Sequence, residues 1–329
     1  MREALHYRQQ GEAIACTLCP KNCIINEEKK GFCRARQNTG GKLYSLNYAQ
    51  ATAQSLDPIE KKPLYHFFPG SYILSLGTWG CNFACQFCQN WHIAQENPPV
   101  TTLEPQAAAM LASQLVTKGN IGIAYTYSEP SVWYEYILDT AELIHAAGLK
   151  NVLVSNGYIN QKPLAELLPY LDAMNIDVKA FNNDFYQKVC AGQLEPVKRT
   201  VEQAAQHCHV EITTLIVPGL NDSEAEITGL AEWLAGINPN IPLHFSRYFP
   251  NYKMDAPATP VSTLHLAYKL ARQSLNYVYI GNVGGEGTNT FCPECGYKVI
   301  DRLGSYSRLN EKDCPQCGSS ISVIGEVKF

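Results

Sequence analysis

Three cysteines stand within the stretch GCNFACQFCQN, Gly80 to Asn90: Cys81, Cys85 and Cys88, spaced C-x3-C-x2-C. A structural zinc site takes four protein ligands. A [4Fe–4S] cube in a simple electron carrier also takes four thiolates, one per iron. Three thiolates leave one iron open to a small molecule. Gly77 and Gly80 allow a tight loop, and Phe83 and Phe87 can shield a cluster from water. Coordination by a metal keeps such thiols deprotonated. A three-cysteine zinc site completed by His92 is the alternative.

The other cysteines partition cleanly. The chain carries 13. Cys292, Cys295, Cys314 and Cys317 follow the spacing C-x2-C-x18-C-x2-C, two CPxCG knuckles aiming four thiolates at one tetrahedral ion. This reads as a zinc ribbon, with a rubredoxin-like iron centre as the alternative. Cys16, Cys19, Cys23 and Cys33 follow C-x2-C-x3-C-x9-C. Four thiolates close a site, so this group holds structural Zn2+ or an auxiliary [4Fe–4S] cluster. Cys190 and Cys208 stand alone and read as small buried hydrophobes.

Composition sets the bounds. The 329 residues are 46% hydrophobic and 17% charged, with a net charge of −4. No basic field favours nucleic acid. No apolar run reaches membrane-spanning length, and MREALHYRQQGEAIAC does not resemble a secretory signal. A cytoplasmic protein is expected, in a reducing compartment where clustered cysteines bind metal rather than pair.

The elements that must position these groups follow from periodicity. Strand-like runs are YILSLG (Tyr72–Gly77), IGIAYTY (Ile121–Tyr127), NVLVS (Asn151–Ser155), AMNIDV (Ala173–Val178), HVEITTLIV (His209–Val217), PLHFS (Pro242–Ser246) and YVYIG (Tyr277–Gly281). Helical runs alternate with them, among them Pro105–Gly119, Pro130–Gly148 and Glu224–Gly236. That alternation predicts an α/β fold with a parallel sheet. About 210 residues is short for eight units, so a partial (βα)6 barrel is expected, its chemistry at the carboxyl ends of the strands. The predicted domains are a cysteine-rich cap over 1–70, the barrel over 71–283 and the ribbon over 284–329.

Several polar residues fall at those strand ends. Glu129 closes the second strand, where it can also cap the following helix. Ser155 and Asn156 close the third. Asp177 and Lys179 at the fourth share one face by strand alternation and suit ribose and carboxylate recognition. Val217 and Pro218 follow the fifth. His244 sits on the sixth, with Arg247 beyond it as a candidate for a carboxylate or phosphate.

The three-cysteine spacing after the first strand resembles the signature of the radical SAM superfamily. That resemblance implies that S-adenosylmethionine chelates the open iron and is cleaved by one electron to a 5′-deoxyadenosyl radical, which abstracts hydrogen from a substrate. Likeness to pyruvate formate-lyase activating enzymes implies that Glu129, Ser155, Asn156, Asp177, Lys179, Val217 and His244 contact the cofactor. TYSEP departs from the Gly-Gly-Glu common in the superfamily, and Val154 stands where the activating enzymes have Asp. The CxLCPxxC start, the CQN after the core motif and the CPxCG tail together resemble AmmeMemoRadiSam-system enzymes. That likeness implies AMMECR-type and Memo-type partner proteins, together with an electron donor such as flavodoxin or ferredoxin. The leading expectation is an oxidoreductase that activates a glycyl-radical enzyme. The alternatives are radical modification of RNA or a small metabolite, and a non-catalytic electron carrier or metal-stapled scaffold.

Overall fold

The computed structural model describes residues 1–285 and 287–329. Seven parallel strands form the central sheet: β1 (Tyr72–Gly77), β2 (Asn120–Thr126), β3 (Lys150–Ser155), β4 (Ala173–Asp177), β5 (His209–Ile216), β6 (Leu243–Arg247) and β7 (Val278–Gly281). Each strand pairs with its neighbours in chain order. The short runs of Val, Ile, Leu and Ala are buried on both faces, the usual state of a parallel sheet covered by helices. The order is linear. An antiparallel strand, Ala53–Pro58, pairs along the free edge of β1, and no ladder among the described residues joins β7 to it. The parallel sheet and its seven strands are therefore as expected, and no ladder among the described residues closes the sheet into a barrel.

Helices α1 (Pro105–Gln114), α2 (Tyr134–Ala146), α3 (Gln161–Leu167), α4 (Leu194–Ala204), α5 (Glu224–Ile237) and α6 (Val261–Ala271) occupy the crossovers. α4 shows why they pack: Pro196, Val197, Thr200, Val201 and Ala204 recur on one buried face. At the start of α5 the Ser223 hydroxyl accepts from the Glu226 amide at 3.3 Å. The Glu226 carboxylate accepts from the Phe181 amide and the Asn182 side chain instead of closing the capping box.

The N-terminal segment forms two small antiparallel sheets. One joins Arg2–Glu3, Lys42–Ser45 and Arg36–Thr39; the other joins Tyr7–Gln10, Ala13–Cys16 and Ile24–Ile25. Near the C-terminus, Thr290–Phe291, Lys298–Asp301 and Tyr306–Ser307 form a third. Its apolar face packs Cys292, Val299 and Ile321 against Tyr277 and Tyr279 at the start of β7.

The segment between the edge strand and β1 crosses the amino-terminal end of the sheet. There the Glu211 carboxylate accepts from the Tyr65 amide (2.9 Å) and the His66 amide (2.7 Å). It also lies 2.9 Å from His209 Nε2 and 2.7 Å from His244 Nε2. Burial alone would raise the Glu211 pKa, but the two imidazoles hold it well below the carboxylate range. His66 bridges Tyr279 and the Ser322 carbonyl. One buried polar network thus ties the floor of the sheet to the C-terminal tail. No helix among the described residues is long and apolar enough to cross a membrane.

Candidate active site at the carboxyl ends of the strands

A cavity of about 250 Å³ opens at the carboxyl end of the sheet, and every parallel strand or the loop after it contributes to its wall. The loop after β1 supplies Cys81, Cys85 and Cys88. β2 leads to Tyr127, Ser128 and Glu129, and β3 to Asn156. β4 ends in Asp177 and Lys179, β5 offers Thr213 and Leu215, and β6 and β7 supply Ser246 and Asn282.

The cysteine loop is held from several sides. Asn82 is buried and donates to the Tyr158 carbonyl at 2.7 Å. The Ala84 and Gln86 amides donate to the carbonyls of Cys190 and Val189. Phe83 packs against Tyr158 and Tyr186. Cys81 Sγ accepts from the Phe83 amide at 3.3 Å and faces Asn156 Nδ2 at 3.8 Å. N–H to sulfur contacts of this kind are one of the factors that tune the potential of an iron–sulfur centre. Burial, and next the Glu129 carboxylate, hold the Cys81 thiol well above its ordinary range. A hydrogen bond with Cys190, and next burial, do so for Cys85, and burial pushes Cys88 up to about 11. Three sulfurs facing one cavity, Cys85 buried and Cys81 and Cys88 half-buried, are held as thiolates by a bound cation, so the donor set fits a metal cluster. Cys190 is fully buried, as expected, and also touches the ligand set.

The expected cofactor residues divide. Glu129 Oε1 accepts from the Ser131 amide (2.9 Å) and the Ser155 hydroxyl (2.8 Å), while Oε2 accepts from the Asn156 amide (2.8 Å). Glu129 therefore caps the turn at Pro130 and also lines the cavity. Burial raises its pKa, and these hydrogen bonds oppose the rise. Ser155 stands behind the wall, donating to Glu129. Asp177 Oδ2 and Lys179 Nζ are paired at 2.8 Å on the wall itself. Burial would lower the Lys179 pKa, but Asp177 and then Cys85 raise it further, so the ammonium stays charged.

The sequence assigns Val217 and His244 to cofactor contact, and the structure sets both apart from the cavity. Val217 is buried in the turn after β5, its amide donating to Asn221 at 2.6 Å. His244 shares the inward parity of Ser246 but lies two residues nearer the amino end, where Glu211 holds it in the floor. His92 is exposed beside Trp91 and does not line the cavity, so it does not complete the three-cysteine set. Arg247 donates to the Thr259 carbonyl at 2.8 Å.

Other cavity residues escape sequence reading. Thr213 and Leu215 could have been found by the alternation that singles out Asp177 and Lys179. Asn282 and Asn90 carry no such signal. Asn90 donates to the Tyr127 carbonyl at 2.7 Å and ties the cysteine loop to β2.

At the C-terminal site, Cys292 and Cys317 sulfurs lie 3.6 Å apart, as do those of Cys295 and Cys314. All four lie within 4.8 Å of one another. A tetrahedral ion with metal–sulfur bonds of about 2.3 Å sets its sulfurs roughly 3.8 Å apart, so this set can hold one metal ion.

Comparison with known proteins agrees with this geometry. The family model described as the radical SAM superfamily matches residues 76–233. A protein of Methanocaldococcus jannaschii described as uncharacterized is 42% identical over 335 residues, covering 98% of this chain and 100% of its own. A (2S)-3-sulfopropanediol dehydratase activating enzyme from Klebsiella oxytoca is 20% identical over 114 residues, covering 34% of this chain and 36% of its own. Streptococcus suis SuiB, solved with S-adenosylmethionine, shares the fold with a TM-score of 0.53 at 12% identity, over 71% of this chain and 58% of its own.

Proposed function

Because this chain is an enzyme belonging to the radical SAM superfamily, we propose that its cavity binds a [4Fe–4S] cluster on Cys81, Cys85 and Cys88 with S-adenosylmethionine at the open iron. Its task is hydrogen abstraction from a partner protein, in the manner of a glycyl-radical activating enzyme. The observation that supports the reading is the convergence of Cys81, Cys85 and Cys88, with no fourth cysteine among the described residues that line it, on the cavity at the strand ends. When bound, the two cofactors supply one-electron cleavage of a sulfonium carbon–sulfur bond and thereby hydrogen abstraction.

The chain's own residues bind, orient and exclude water. Phe83 and Phe87 wall the cysteines off from solvent. The Phe83 amide and Asn156 present N–H groups to Cys81. Lys179 offers a cation for a ligand carboxylate, and Asp177 offers a paired acceptor for ribose hydroxyls. Glu129 fixes the ends of β2 and β3 relative to one another through the two hydrogen bonds it accepts from the Ser155 hydroxyl and the Asn156 amide. A flavodoxin- or ferredoxin-class donor supplies the electron, and AMMECR-type and Memo-type proteins are the partners proposed. Likeness to an activating enzyme is what supports protein activation as the leading version.

The test is anaerobic reconstitution followed by dithionite and S-adenosylmethionine. 5′-Deoxyadenosine should appear with wild-type protein and be absent with Cys85→Ser. Undiminished product from the variant would refute the assignment. A glycyl-radical signal raised on a candidate partner protein supports activation; modified nucleosides instead would favour RNA.

A further inference from the structure

Cys16, Cys19, Cys23 and Cys33 come together from separate turns. Cys16 ends a strand, and its amide donates to the Cys23 carbonyl at 2.9 Å. The Phe32 amide reaches Cys23 Sγ at 3.4 Å and places Cys33 beside it. The four border one void of about 10 Å³, the space of roughly one water, lined also by Leu18, Ile25 and Val132 and by the polar Lys21, Asn22 and Arg36.

The two four-cysteine groups differ in spacing. Among the described residues, the C-terminal four form the one His, Cys, Asp or Glu group whose ligand atoms are all gathered within 4.8 Å. Sulfurs drawn to about 2.3 Å from a shared ion leave no void between them. The N-terminal sulfurs are not gathered that tightly, and they do surround a void. A cube of four irons and four sulfides holds its cysteines roughly 6 Å apart. The apolar part of the wall also suits a cluster that must be kept from water, and Lys21 at its edge offers a cation to a net-negative centre.

From this spacing we infer that Cys16, Cys19, Cys23 and Cys33 hold a second [4Fe–4S] cluster, closed by four thiolates, and not a single zinc ion. Its position is adjacent to the first site. A Cβ built on Gly80, the residue before Cys81, would lie 2.7 Å from the Cys33 carbonyl oxygen, so the two cysteine loops touch through backbone. The inference stands on the N-terminal group alone and does not depend on the reading of the three-cysteine cavity.

Iron, acid-labile sulfide and zinc counted on the full chain, with electron paramagnetic resonance of the reduced protein, test it. The samples are anaerobically reconstituted wild type, a Cys81→Ser, Cys85→Ser, Cys88→Ser variant, and a Cys19→Ser, Cys23→Ser variant. Wild type should hold about eight irons, and the triple variant about four irons with four sulfides. The signal of the triple variant should be unchanged by S-adenosylmethionine, whereas that of the double variant should shift. A triple variant with no iron and a second zinc ion per chain overturns the inference and leaves the proposed function standing. Iron lost only from the double variant does the reverse. Should the double variant fail to fold by circular dichroism, the iron content of the triple variant decides alone.

Discussion

Glu129 illustrates how much one side chain does at this site. Its carboxylate accepts from two backbone amides and the Ser155 hydroxyl while buried. Glu129→Gln keeps the volume but turns one oxygen into a donor, which must face either the Asn156 amide or the pair Ser131 and Ser155. An opposed buried donor costs about 1–3 kcal/mol, so thermal unfolding should show a clear fall in midpoint for this variant. An unchanged midpoint would mean that the three hydrogen bonds carry little. At this scale the sequence was readable wherever spacing alone defines chemistry. Three cysteines within one short loop, and Asp177 with Lys179 two residues apart on a strand, can be placed without a fold. His244 could not. Its parity was right, but depth along the strand decides whether an inward side chain meets the cavity or the floor, and only the packing of Glu211 beneath it shows which.

At the scale of elements, the cysteine loop depends on what packs beneath it. Gly192 follows the helical turn Tyr186–Cys190, and a Cβ there would lie 2.2 Å from the Phe83 ring. Gly192→Ala must therefore displace Phe83, at a cost of roughly 1–3 kcal/mol typical of overpacking. Because Phe83 sits between Cys81 and Cys85, the variant should lose iron from the first site on reconstitution as well as stability. Normal iron content with a lowered melting point would show that the loop tolerates the shift. The expected strands were all found, with boundaries within about two residues, because Val, Ile and Leu runs between Gly and Pro breakers are local signals. The edge strand Ala53–Pro58 was not assigned on its own. AQSLDP has little β-branched character, and its pairing with β1 comes from an already formed neighbour.

At the scale of the whole molecule, the floor network and the C-terminal module join distant parts of the chain. Burial lowers the His66 pKa to about 3, with Glu211 and the Ser322 carbonyl opposing, Arg302 and His209 assisting. Its folded value lies below its unfolded value of 6.5, so the stability it contributes is present above pH 6.5 and is lost as pH falls towards 3. Between those limits the loss from this one group approaches about 1.4 kcal/mol per pH unit. Unfolding free energies measured at pH 7 and pH 5 should differ accordingly, and His66→Phe should flatten the dependence. An equal slope in the variant would assign the acid sensitivity elsewhere. Metal removal acts on the same region. Cys292, Cys295, Cys314 and Cys317 can hold one ion, and protein loaded with zinc and then treated with a chelator should loosen at the face packed on Tyr277 and Tyr279 and melt at a lower temperature. The readout is a scan of protein with and without chelator, together with released zinc.

By itself the sequence determined the chemistry that the chain can support and the alternation of strand and helix that would carry it. Both are written in short-range spacing: thiolates a few residues apart, and apolar runs of strand length. Only the tertiary structure decided which residues share a cavity, that Glu129 binds its own neighbours as well as facing it, and that the two clusters of cysteines behave differently. The CPxCG knuckles bring four sulfurs to 3.6–4.8 Å, whereas the N-terminal four enclose a void. Counting residues between cysteines sets which of them can meet. The distance at which they meet is set by the backbone and the side chains packed around them.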